Sequence, residues 1–162
     1  MAGRKFLLCL VIALGFVFVN CNSGKYDKDL NGTWALVEGG IEVGYKFRNG
    51  NFELLLYNES QIKGNYTTEN GEITMKWTNI LGDLLYRWYR IDIDPKMYTE
   101  AEFYTAIKPV LVEMELDEER FFEIFNSTIM TIVAVDPSPY SIEENALTIM
   151  ILDTPIKLTK VQ

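Results

Sequence analysis

The 162-residue chain contains no histidine, and its only two cysteines, Cys9 and Cys21, fall within the first 21 residues. Without histidine, Ser-His-Asp and Cys-His catalysis and the usual zinc sites are excluded. With no cysteine after residue 21, the rest of the chain has neither an internal disulfide nor a nucleophilic thiol. Basic residues are scarce: 15 Lys and Arg stand against 23 Asp and Glu, a formal net charge of −8. So acidic a chain is repelled by the phosphate backbone, and no nucleic-acid partner is expected. An enzyme would have to run on carboxylates, Lys or Tyr, and nothing in the pattern sets two carboxylates across a cleft. No catalytic residue is assigned. Asp92-Ile93-Asp94 lacks the glycine and the remaining acids of a calcium loop, so neither a metal nor a cofactor is expected.

What is present begins at the N-terminus. Arg4 and Lys5 precede Phe6 to Val19, an uncharged run of 14 residues. That is too short to cross roughly 30 Å of hydrocarbon as a helix, and it suits a signal-peptide core. No Ala-x-Ala-like cleavage site follows. The run meets Cys21 and then polar Asn22, Ser23, Gly24 and Lys25. This resembles a bacterial lipoprotein signal, in which the cysteine is acylated and becomes the new N-terminus. Phe18 and Asn20 stand where most bacteria place Leu and Gly or Ala, a looseness that resembles spirochaete lipoproteins. The alternative is an ordinary signal peptide with an incidental cysteine. The expected organisation is a leader over 1–20, a tether over 21–29 and one domain over 30–162. Removing Arg4 and Lys5 leaves 13 basic against 23 acidic residues, a net charge of −10 on 142 residues. Four Asn-x-Ser/Thr sequons, at Asn31, Asn58, Asn65 and Asn126, would matter only in a eukaryotic secreted protein.

The domain reads as short strands punctuated by Gly and Asn. Candidate strands are Thr33–Glu38, Ile41–Arg48, Asn51–Tyr57, Ser60–Thr68 and Glu72–Ile80. Asn49-Gly50 and Asn70-Gly71 are strong hairpin signals, because both turn residues need positive φ. Gly39-Gly40 and Asn58-Glu59 supply the other turns. Tyr140–Ile142, Ala146–Leu152 and Ile156–Val161 repeat the style, with turns at Glu143-Glu144-Asn145 and Asp153-Thr154-Pro155. Consecutive hairpins with period-2 alternation predict a mainly β fold, an antiparallel up-and-down meander closed into a barrel of about eight strands.

Residues 81–128 interrupt this pattern and predict a helical insertion between strands five and six. Leu84–Ile93 reads as extended. Thr99-Glu100-Ala101-Glu102 is a capping box, and Phe103, Tyr104 and Ile107 follow at helical spacing. Pro109 predicts an end or a kink near Lys108. Val110–Leu116 fits helix and strand equally. Asp117 caps a second helix carrying Phe121, Phe122 and Phe125, and Met130–Val135 is expected to resume the meander. The insertion could lie over the barrel mouth as a lid or pack outside it. It is also the region where an unknown protein partner would dock.

Leu30-Asn31-Gly32-Thr33-Trp34 opens the first strand with a Gly-Thr-Trp motif. Hairpins such as Tyr45–Glu53 and Lys63–Thr68 follow. Together these resemble the lipocalin and wider calycin families, and in particular the lipocalin-like lipoproteins of spirochaetes such as Treponema. The resemblance covers about residues 30–80 and 128–160. It implies an eight-stranded barrel, a lipid anchor at Cys21 in a bacterial cell envelope, and an apolar cavity for a small hydrophobic ligand. Gly32 and Trp34 would then close one end of the barrel as packing. The apolar alternates Val43, Tyr45, Phe47, Phe52, Leu54 and Leu56, with Tyr66, Ile73, Met75, Trp77, Leu147 and Ile149, would line the interior, either as core or as ligand contacts. Two acyl chains hold a protein on a membrane where one does not. In a bacterium with lipoprotein processing, full-length chain is expected to incorporate radiolabelled fatty acid, and Cys21→Ser to incorporate none. Equal labelling of both would contradict the anchor.

Overall fold

The computed structural model describes residues 26–38 and 41–161. The leader, Cys21 and the Gly39-Gly40 turn lie outside them. A 3-10 turn, Lys28–Leu30, precedes β1 (Gly32–Glu38), β2 (Ile41–Arg48), β3 (Asn51–Leu56), β4 (Glu59–Glu69) and β5 (Glu72–Leu81). Then come α1 (Asp83–Tyr89), the short β6 (Met97–Thr99), α2 (Glu100–Glu113) and α3 (Glu118–Met130). β7 (Ser138–Glu143), β8 (Ala146–Ile151) and β9 (Thr154–Val161) end the chain. Each strand pairs antiparallel with its neighbour in sequence, β5 pairs with β7 across the insertion, and β9 returns to β1. The result is a closed up-and-down barrel of eight strands, with β6 appended to the end of β5.

The hairpins explain the register. Asn49-Gly50 and Asn70-Gly71 both sit at positive φ, as a two-residue type I′ loop requires. At the other end of the barrel the turns fall one residue earlier than the sequence suggests. Tyr57-Asn58 and Leu152-Asp153 occupy the left-handed region instead of Asn58-Glu59 and Asp153-Thr154. Register across the sheet outweighs local turn preference there: Leu56 pairs with Glu59, and Ile151 with Thr154.

Two further expectations are corrected, and one alternative is excluded. Leu84–Ile93 is not a single extended segment, because Asp83–Tyr89 is helical. Its apolar residues at 84, 85 and 88 have helical spacing, Leu84 and Leu85 are buried, and the turn ends where Arg90 enters the left-handed region. Of the end or kink expected near Lys108, the end does not occur: α2 runs through Pro109 to Glu113. Pro109 and Thr105, whose carbonyl loses its helical donor, are both exposed, so water can replace the missing bond. The meander does not resume at Met130. Met130 closes α3, residues 131–137 cross as turns and bends, and pairing restarts at Ser138. The Thr99 capping box is formed: the Glu102 amide donates to Thr99 Oγ1 at 3.3 Å, and the Thr99 amide donates to Glu102 Oε2 at 2.9 Å. The Thr99 amide first, and then the Thr99 hydroxyl, which donates to the same oxygen at 2.8 Å, hold the Glu102 carboxyl below its ordinary pKa.

One core fills the barrel and continues under the helices. Two bulges bend its wall, one where β4 inserts Gln61 between its pairings with Leu54 and Leu55, the other where β5 inserts Thr78. At the second bulge Gly64 lets β4 and β5 approach closely. A Cβ on Gly64 would lie 2.1 Å from the Lys76 carbonyl oxygen and 2.6 Å from the Phe52 ring. Gly64→Ala is therefore expected to destabilise the fold by about 2 kcal/mol or more, read from urea unfolding. An unchanged midpoint would mean that the bulge yields freely.

Candidate functional site

The barrel has two unlike ends. At the end where the described chain begins, Leu30 is buried and Trp34 is fully enclosed, its indole N–H donating to the Leu30 carbonyl at 2.7 Å. The Lys160 ammonium lies 4.9 Å from the Trp34 ring centre. Gly32, at φ 138°, keeps the chain clear of Lys160, whose Cε would be 2.9 Å from an added Cβ. Tyr140 donates to Asp27 at 2.8 Å, Asn31 accepts from the Asn49 amide at 2.9 Å, and Tyr26 packs edge-on against Tyr66. This end is shut.

Cross-strand pairing then sets the interior in rows. Trp34, Tyr45 and Leu54 form one row across β1, β2 and β3, with Phe47 opposite Phe52 below it. Of the twelve residues expected to line the interior, ten are buried: Tyr45, Phe47, Phe52, Leu54, Tyr66, Ile73, Met75, Trp77, Leu147 and Ile149. Most of these have 0–2% of their surface exposed, which leaves no contact with a water-sized void inside the barrel at their level. Phe47 stacks on Tyr45 and meets Tyr66 edge-on at 5.0 Å. The remaining two, Val43 and Leu56, form the next row toward the far end with Leu36 and are partly open to solvent; Leu36 is 38% exposed.

The far side of the barrel is built differently. β5 and β7 share only two paired positions, Glu72↔Pro139 and Ile73↔Ser138. Above them the Met75 amide donates to the Ala134 carbonyl at 2.6 Å, and Asn79 pairs with Thr99 on β6. Between these points the β5 edge faces α3 across a groove of about 440 Å³. Met75, Trp77, Ile129, Met130 and Val135 form its apolar walls, and Thr74, Lys76, Glu100 and Asn126 its polar rim. A second recess of about 260 Å³, reaching Met150 and Leu152, shares Met130 and Val135 with it. Trp77 also meets Phe103 and Phe125 edge-on at 6.3 and 6.2 Å, and Phe103 stacks on Phe125 at 4.8 Å. Phe103, Ile107, Phe121 and Phe125 of the insertion are buried in one core with the barrel, while Tyr104 and Phe122 are half-buried.

Ile129 continues the i, i+4 spacing of Phe121 and Phe125, a signal for a longer helix that would have brought it to this groove, whereas Asn126 and Met130 carry none. Gln61 was equally hidden. A glutamine in a strand reads as surface, yet the bulge buries it completely and leaves its side-chain oxygen without a hydrogen-bond donor. Among the described residues no group of three or more acidic, histidine or cysteine side chains gathers as a metal site would. No described helix is long and apolar enough to cross a membrane.

Tyr45 ties the two sides together. Its hydroxyl donates to the Ile132 carbonyl in the segment after α3. Burial pushes the Tyr45 phenol well above its ordinary pKa. Burial first, and then its bond to Asp27, push Tyr140 up to about 12. Both shifts are upward, so the folded chain keeps protons that the unfolded chain releases near pH ~10. Stability from these groups is complete below pH ~10 and falls above it, the share of Tyr140 being lost as pH rises through about 12. Tyr45→Phe should lower stability by about 1 kcal/mol at neutral pH and make the alkaline fall in melting temperature shallower. Parallel alkaline profiles would show that Tyr45 does not carry it.

No protein-family model matches this chain, and neither a curated protein nor a solved structure matches it.

Proposed function

We propose that the protein is a non-catalytic, membrane-anchored lipoprotein of a bacterial envelope, of the kind the Gly-Thr-Trp motif resembles, whose lipocalin-like barrel takes a small hydrophobic ligand. The observation that supports this most is the groove at the β5–β7 seam. Its volume of about 440 Å³ lies within the range of small-molecule sites, and apolar walls with a few polar groups at the rim are what such sites use. Met75 and Trp77, two of the residues expected to line the interior, back it, while Met130 and Val135 supply its open apolar surface. The packed rows around Tyr45 and Phe47 favour a ligand here, or in the half-open row of Leu36, Val43 and Leu56, over one deep in the barrel. The described chain enters at the shut end, so an anchor at Cys21 would hold that end toward the membrane and leave the half-open row facing away.

A second reading has its own support. The same packed rows suit a filled barrel that only displays its loops and helices to a protein partner. Native mass spectrometry of residues 22–162, before and after organic extraction, separates the two, together with Trp fluorescence titration by fatty acids. Binding is expected, with Val135→Trp weakening it about tenfold by filling the groove. A bare mass and no response of the unmodified chain to any fatty acid would defeat the carrier reading.

A further inference from the structure

The α2–α3 hairpin carries an apolar surface that neither the barrel nor the seam groove uses. Val112 is 76% exposed, Met114 44%, Leu116 44% and Ile124 47%, all within residues 112–124. Isolated exposed apolar residues are ordinary, but two of these four, Leu116 and Ile124, line one recess. The recess holds about 250 Å³ between Tyr89, Ile91, Leu116, Phe121 and Ile124, with Asp117 and Arg120 at its edge.

Backbone geometry presents this surface deliberately. α2 ends in a Schellman motif: the Leu116 amide donates to the Leu111 carbonyl at 2.9 Å, and the Glu115 amide to the Val112 carbonyl at 3.1 Å. Glu115 occupies the left-handed position at φ 55°, where glycine would be cheaper. The residue after it in this motif usually packs back against the helix. Leu116 lies at the recess and still keeps 44% of its surface in solvent.

The charge around the surface narrows the occupant. Glu113, Glu115, Glu118, Glu119 and Glu123 are all exposed in the same hairpin; against these five stand Arg120 at the recess edge and Lys108, which Glu118 engages at 2.7 Å. An anionic lipid surface is repelled by this rim, and so is a second copy presenting the same face. A segment with a row of apolar side chains flanked by Lys or Arg satisfies both parts, in the manner of an amphipathic helix laid on an apolar groove. We propose that the tip of the α2–α3 hairpin docks a basic amphipathic segment of another protein. This stands on different residues from the seam groove, so either can fail without the other.

The test uses residues 22–162 and two synthetic helical probes of equal length, one of Lys and Leu and one of Glu and Leu, each with Leu at i, i+3, i+4 and i+7. Calorimetry should show the Lys/Leu probe binding and the Glu/Leu probe not. Leu116→Ser with Ile124→Ser should weaken the Lys/Leu probe by about tenfold or more, with the melting temperature unchanged. Raising salt from about 50 to about 500 mM should weaken it by a similar factor. Because the double variant keeps every charge, equal binding by it and the parent would reduce the effect to general attraction by an acidic protein and overturn the proposal. Absence of binding by the parent, or preferential binding to anionic vesicles, would overturn it as well.

Discussion

Closure between β5 and β7 is the constraint on which the rest of the barrel depends. Every other neighbouring pair is joined by a hairpin or by at least three paired positions, whereas this seam has two. One of them is Pro139, which has no amide to donate. The seam falls where residues 82–137 leave the meander and return, so no tight turn sets its register. Closure is completed by contacts beyond those two positions. The Tyr140 amide donates to the Gly71 carbonyl at 3.0 Å, Ala134 in the segment after α3 accepts from Met75, and β6 covers the last stretch of β5. The helices are thus part of how the barrel shuts, and the groove beside α3 is the space that this indirect closure leaves.

Trp77 is where the two halves of the core meet. Its neighbours on β5, Met75 and Ile73, belong to the barrel interior, while its ring contacts belong to α2 and α3. The aromatic contacts continue through Phe125 to Phe121 and Tyr89. Tyr45 provides a polar counterpart, spanning from β2 to the segment after α3. Packing at this density leaves little freedom deep in the barrel. Openings occur where strands part or helices end: the row of Val43 and Leu56, the β5 edge, and the tip of the α2–α3 hairpin.

Much of this was legible in local pattern. The period-2 runs of β2, β3 and β5, the Asn-Gly turns and the Thr99 and Asp117 caps each depend on residues a few positions apart, and all were formed as read. The failures share a different cause. Leu84–Tyr89 combines helical spacing with strand-favouring aromatics, and its burial against the barrel decides the outcome. Pro109 is tolerated because its turn of α2 faces water. Met130–Val135 has the apolar content of a strand, but α3 extends to Met130 and leaves no room for pairing before Ser138.

Composition and local spacing therefore determined the class of the domain: a barrel of hairpins with neither histidine nor cysteine after residue 21, carrying an acidic helical insertion. Periodicity and turn chemistry act over a handful of residues, and they fix which side chains face inward. Only the tertiary structure decided which inward residues are sealed and which remain accessible. That depends on contacts between segments far apart in sequence, such as Tyr45 with Ile132 and Trp77 with Phe125. Met75 and Trp77 belong at once to a β-strand and to a groove wall because α3 lies beside them, and no pattern within β5 encodes that neighbour.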